Sequence, residues 1–121
     1  MARHKYIALV DDDESVRRSL GRLLQQAGFH PIAFASAEDF LADPLLSHFD
    51  CLLVDIRLKA MTGIELHQKL VADGSRVPVI YITAFDDPSA KAEAMRAGCA
   101  GFFRKTDSAP EIVAAIRRAI A

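Results

Sequence analysis

Cysteine is scarce in this chain. Cys51 and Cys99 are the only two, far apart and without CxxC spacing, so both read as reduced, small core residues. Histidine is thin as well. His4, His30, His48 and His67 show neither HxH nor HExxH spacing, and they read as surface or strand-end residues. There is no GxGxxG and no GKS or GKT, which removes the dinucleotide-binding and P-loop classes. No apolar run approaches the ~20 residues needed to span a membrane, and the N-terminus has no apolar signal-peptide core. The expected compartment is therefore the cytoplasm. Neither sign of charge dominates: 15 basic and 16 acidic side chains leave a formal net charge of −1. Nothing draws the chain as a whole towards DNA or an anionic membrane, so neither is an expected direct partner.

What is present is apolar sequence in short runs. Hydrophobic residues make up 51% of the 121 residues, enough for one packed domain over 1–121 and too few residues for two. The runs alternate with segments of helical period. Ile7 to Val10 reads as a buried strand that stops at Asp11-Asp12-Asp13. Val16, Leu20, Leu23, Leu24 and Ala27 then mark a helical stripe closed by Gly28. Pro31 to Phe34 is a weaker strand. Ser36 and Asp39 open a helix, which Pro44 should keep short or kink. Cys51 to Val54 is a third strand running into Asp55. Thr62 and Glu65 form a second capping box, and Asp73-Gly74 ends the helix that follows. Val77 to Ile82 is the most apolar strand and ends at Thr83. Asp87-Pro88 starts a helix that stops at Gly98. Ala100 to Phe103 is the fifth strand, ending at Lys105. Pro110-Glu111 opens the last helix, with Ile112, Ala115, Ile116 and Ile120 facing inward.

Five strands alternating with five helices imply an α/β fold with a doubly wound parallel sheet covered on both faces. Ligands of such folds bind outside the carboxyl ends of the strands. Polar residues stand at those ends: Asp11 and Asp12 after the first, Asp55 after the third, Thr83 after the fourth and Lys105 after the fifth. With the first and third strands adjacent, three carboxylates meet in a small volume. They repel one another unless compensated. A hard divalent cation compensates them, and Mg²⁺ takes one or two carboxylates, water and a phosphoryl oxygen. An aspartate neutralised in this way can attack phosphorus to give an aspartyl phosphate. A lysine and a hydroxyl at the same edge suit the phosphoryl oxygens, because this chemistry needs charge stabilisation more than covalent help. Asp13 reads instead as a helix cap.

Over its whole length the sequence resembles the CheY-like receiver family, and most of all its FixJ-type members. The resemblance rests on Val10-Asp11-Asp12-Asp13, on Asp55-Ile56-Arg57 with Met61-Thr62-Gly63, on Ile82-Thr83-Ala84, and on Ala97-Gly98 leading to Phe102-Phe103-Arg104-Lys105. It implies a flavodoxin-like (βα)5 sheet of strand order 2-1-3-4-5. It implies that Asp55 is the phosphoacceptor and that Asp11, Asp12, Asp55 and the backbone carbonyl of Arg57 hold Mg²⁺, with Mn²⁺ as a substitute. Thr83 and Lys105 then grip the phosphoryl group, and Phe102 matches the switch aromatic. Arg57 and Phe85 border the path of an attacking water. The implied partners are a sensor histidine kinase and a second copy of the chain, joined on phosphorylation through the fourth helix and fifth strand. The implied activities are self-phosphorylation and self-dephosphorylation with Mg²⁺. The implied output is transcription, through an effector domain outside these residues.

Two residues depart from that pattern. Lys59 and Thr106 stand where the family often has proline. A cis bond before a non-proline residue costs about 2.5–4 kcal/mol, so a trans Lys105–Thr106 peptide is expected. A haloacid-dehalogenase-type phosphatase, with Asp11 as nucleophile, also fits Asp11-Asp12-Asp13, but it leaves Asp55 without a task and lacks a late acidic pair. A receiver that binds partners without being phosphorylated is the other alternative, kept open by Lys59 and Thr106.

Overall fold

The computed structural model describes residues 5–84 and 87–121. In it the apolar runs form the strands β1 (Tyr6–Val10), β2 (His30–Phe34), β3 (Cys51–Asp55), β4 (Val79–Thr83) and β5 (Gly101–Arg104). The periodic segments form α1 (Glu14–Gln26), α2 (Ala37–Leu41), α3 (Gly63–Ala72), α4 (Pro88–Arg96) and α5 (Ala109–Ala119). A short 3-10 turn, Leu46–His48, follows α2 just past Pro44. The strands pair in parallel in the order β2-β1-β3-β4-β5. The fold is the doubly wound sheet expected.

Successive side chains of a strand point to opposite faces, and the central strands are apolar on both. Ala8, Val10, Leu52, Val54, Val79 and Tyr81 pack on one face with Phe34, Phe40 and Leu66. Ile7, Leu9, Leu53, Ile80 and Ile82 pack on the other with Leu24, Ile112 and Ile116. Each fully buried aliphatic side chain contributes about 1.5–3 kcal/mol. These two layers therefore hold the carboxyl ends of β1, β3 and β4 in one plane.

Local chemistry sets the helix starts. Asp13 caps α1 by accepting from the Ser15 and Val16 amides. Ser36 accepts from Asp39 N–H at 3.0 Å. Thr62 and Glu65 form a complete capping box, with bonds of 3.0 and 3.2 Å. Asp87 accepts from Ala90 N–H at 3.1 Å, with Pro88 at the first turn of α4. Gly28 and Gly98 close α1 and α4 with φ of 94° and 84°, the left-handed region that glycine enters without penalty.

Two expectations are corrected. His67 is not a surface residue: it is buried on α3, with Nδ1 2.9 Å from the Tyr81 hydroxyl. Burial alone pushes its imidazole below the ordinary range. His30 and His48 are exposed as expected, and His4 lies outside the described residues. Cys51 is a reduced core residue, its thiol pushed up to about 12 by burial. Cys99, also unpaired, is only half-buried, with Sγ 3.7 Å from Met95 Sδ.

Candidate functional site

Strand order decides which polar residues meet. Val10 pairs with Val54, so the residues after it, Asp11 and Asp12, stand beside Asp55 at the end of β3. Asp55 pairs with Ile82, one residue before Thr83. Thr83 pairs with Arg104, one residue before Lys105. Asp11, Asp12 and Asp55 each bring a carboxylate oxygen within 4.8 Å of the others. Asp11 and Thr83 have no exposed surface, Asp55 is 5% exposed, and Asp12 lies open to solvent.

Lys105 enters this group from β5. Its Nζ lies 3.0 Å from Asp55 Oδ2, as a hydrogen bond, and 2.9 Å from Asp11 Oδ2. The second contact falls outside hydrogen-bonding angles, so it is a charge contact, and Asp11 Oδ2 has no aligned donor. The other oxygens are held by backbone. Asp13 N–H donates to Asp11 Oδ1 at 2.9 Å, and Arg57 N–H donates to Asp55 Oδ1 at 2.9 Å. Arg17 Nη1 donates to the Asp11 carbonyl at 2.8 Å and ties α1 to the end of β1.

The electrostatics follow from this crowding. Burial raises the Asp11 carboxyl above its ordinary value; the Lys105 ammonium and the Asp13 amide oppose that, and the charge of Asp55 adds to it. Burial acts to lower the Lys105 ammonium, yet its contacts with Asp11 and Asp55 together outweigh that and raise it. A fully buried carboxylate with one oxygen lacking an aligned donor and two further carboxylates beside it suits a hard divalent cation. The residues present fit Mg²⁺.

The remaining expected residues lie around the group. The Arg57 side chain is 54% exposed and turns to the α4 cap, with Nη2 2.6 Å from Asp87 Oδ2. The Ala90 amide, with help from the Arg57 guanidinium, lowers the Asp87 carboxyl. Phe102, half-buried on β5, packs on the Tyr81 face with ring centroids 6.4 Å apart. Tyr81 in turn faces His67 at 5.8 Å. Phe85 lies outside the described residues. Lys59 is exposed. No cis peptide occurs among the described residues, so the Lys105–Thr106 bond is trans, as expected.

Four residues were not identified as contributors from the sequence: Arg17, Asp87 as the partner of Arg57, Gly63 as a close contact, and Asp107 in the loop after β5. A Cβ on Gly63 would stand 2.6 Å from the Asp55 carbonyl oxygen, so α3 seats directly on the backbone of the site.

A family model described as "Response regulator receiver domain" matches residues 7–117. The transcriptional regulatory protein FixJ of Bradyrhizobium diazoefficiens is 36% identical over 121 residues, 99% of this chain and 58% of that protein. The response regulator protein TodT of Pseudomonas putida is 33% identical over 118 residues, 98% of this chain and 52% of that protein. The chain thus spans about half the length of the curated relatives it matches. The crystal structure of FixJ-N superposes with a TM-score of 0.89 at 36% identity, covering 98% of this chain and 95% of that one.

Proposed function

Because the chain belongs to the response regulator receiver family, we propose that it is a phosphorylation switch with Asp55 as its phosphoacceptor. The carrying observation is the place of Asp55. It is nearly buried at the end of β3, with one oxygen held by the Arg57 amide, the other by Lys105, and two more carboxylates at its side. A receiver domain is a signalling switch rather than an enzyme turning over an external substrate.

In the proposed reaction an Asp55 carboxylate oxygen attacks the phosphorus of a phosphohistidine or of a small phosphodonor. A P–O bond forms, and the donor's P–N or P–O bond breaks with its electron pair leaving on the donor. Asp11, Asp12, Asp55 and the Arg57 carbonyl would hold Mg²⁺ or Mn²⁺, which when bound supplies neutralising charge to the carboxylates and phosphoryl oxygens. Lys105 already contacts Asp55, so its ammonium needs only a short movement to reach a phosphoryl oxygen there. Its stem is flexible and its charge compact. Thr83, buried at the end of β4, offers its hydroxyl to the same group. Movement of Thr83 towards the phosphoryl group leaves room for Phe102 to turn inward, which converts a local charge into a changed α4–β5 surface.

The partner in this reading is a sensor histidine kinase, and the chain meets it in the cytoplasm. The FixJ relative is named as a transcriptional regulator, and transcription through a further domain is the output we propose. Met95 on α4 is 60% exposed and Phe102 on β5 is half-buried, so each element of the proposed α4–β5 surface offers an apolar side chain to a second copy. Sedimentation with beryllofluoride should show that dimer, and an unchanged monomer at high concentration would exclude it. The function itself is tested with acetyl phosphate and Mg²⁺. Intact mass should rise by one phosphoryl group, and excess EDTA should abolish the gain. Phosphorylation that proceeds unchanged in EDTA would overturn the role of the acidic group.

A further inference from the structure

The loop after β5 holds Lys105 by a device independent of proline. β5 is an edge strand, and Lys105 N–H donates inward to the Thr83 carbonyl at 2.7 Å. In a parallel strand the N–H and C=O of one residue point the same way, and neighbouring residues alternate. Arg104 therefore turns both of its backbone groups to the open edge of the sheet. Asp107 meets both. Arg104 N–H donates to Asp107 Oδ2 at 2.8 Å, and Asp107 N–H donates to the Arg104 carbonyl at 3.0 Å. The other Asp107 oxygen lies 3.7 Å from Arg104 Nε. The backbone bond closes a four-residue turn with Lys105 and Thr106 at its centre.

We infer that Asp107 is the positioning residue for Lys105, acting through the turn to aim the ammonium at the Asp55 site. Thr106 has no ring to fix its backbone, and a lysine stem carries considerable rotamer freedom. The direction in which that stem leaves the backbone thus depends on the clamp around it. Thr83 fixes the inner side, and the Asp107 carboxylate fixes the outer. Asp107 touches neither Asp55 nor Asp11 by any contact described; its influence reaches them through the Lys105 backbone. The inference rests on the phosphoacceptor reading of Asp55 for its consequence, but the clamp exists without it.

The test compares the whole chain with Asp107→Ala, Asp107→Asn, Lys105→Ala and the Lys105→Ala/Asp107→Ala double variant. The first readout is the phosphorylation rate with acetyl phosphate and Mg²⁺. Asp107→Ala should slow it by about tenfold, less than the roughly 10²-fold that a reacting group misplaced by about 1 Å can cost. Asp107→Asn should recover most of the rate, since a carboxamide oxygen accepts the same bond. In the Lys105→Ala background, Asp107→Ala should add nothing, because a residue acting through Lys105 has nothing left to aim. The second readout is amide exchange at Arg104 in metal-free protein, faster in Asp107→Ala and restored in Asp107→Asn. A wild-type rate in Asp107→Ala, or full additivity in the double variant, overturns the inference. A wild-type chain that takes no phosphoryl group overturns the phosphoacceptor reading and the consequence drawn for Asp107, while Arg104 exchange still judges the clamp.

Discussion

Lys105 and Asp55, 50 residues apart in sequence, meet at 3.0 Å at the carboxyl ends of the strands, and the same ammonium reaches Asp11 Oδ2 at 2.9 Å. The lysine is the compensating charge that the metal-free acidic group has in place. Lys105→Ala should therefore destabilise the metal-free protein, by about 1–3 kcal/mol, because it leaves a buried carboxylate unmatched. Urea unfolding in EDTA measures this. An unchanged or raised midpoint would show that Lys105 does not neutralise the group.

Gly63 sits against the carbonyl of Asp55, where an added Cβ would approach to 2.6 Å. The obstacle is backbone and cannot turn aside. Gly63→Ala should cost about 1–3 kcal/mol, the usual scale for overpacking a tight contact. It should also slow phosphorylation by displacing Asp55. A variant with wild-type stability and rate would mean that α3 can move away freely.

His67 makes stability depend on pH. Burial lowers its imidazole below the ordinary value of 6.5. The unfolded chain therefore takes up a proton near pH 6.5 while the folded chain still resists it. Stability is fully present above 6.5 and is lost as pH falls through the folded value. Between roughly pH 7.5 and pH 5.5 the wild type should lose more stability than His67→Phe, whose ring does not titrate. Parallel pH profiles for the two proteins would contradict this.

Arg57 bears on the lifetime of the phosphorylated state. Its ion pair with Asp87 is largely exposed, and such pairs contribute under about 1 kcal/mol, so the guanidinium can swing across the mouth of the site. With a phosphoryl group on Asp55, this long cation should obstruct the attacking water. Arg57→Ala should shorten the half-life several-fold, and Phe85→Ala should act in the same direction. The radiolabel decay rate decides, and equal half-lives in all three proteins would remove both residues from the account.

The residues at the strand ends were legible because each follows an apolar run directly, and the helix caps at Asp13, Thr62 and Asp87 because capping is local chemistry. The order of the strands came from resemblance, since alternation alone does not fix it. His67 escaped notice because its burial depends on Tyr81, a strand away. The Arg57–Asp87 pair joins two loops 30 residues apart. Asp107 reads as an ordinary loop acid until β5 is known to be an edge strand. Only then does the Arg104 amide need a partner.

Asp55 alone should carry the phosphoryl group. Borohydride reduction of the phosphorylated protein, followed by peptide mass spectrometry, reads this directly, because it converts an aspartyl phosphate into homoserine at the labelled position. Homoserine should form at position 55 and nowhere else, with none in Asp55→Asn. Homoserine at position 11 would contradict it and point instead to a phosphatase-like nucleophile at the end of β1.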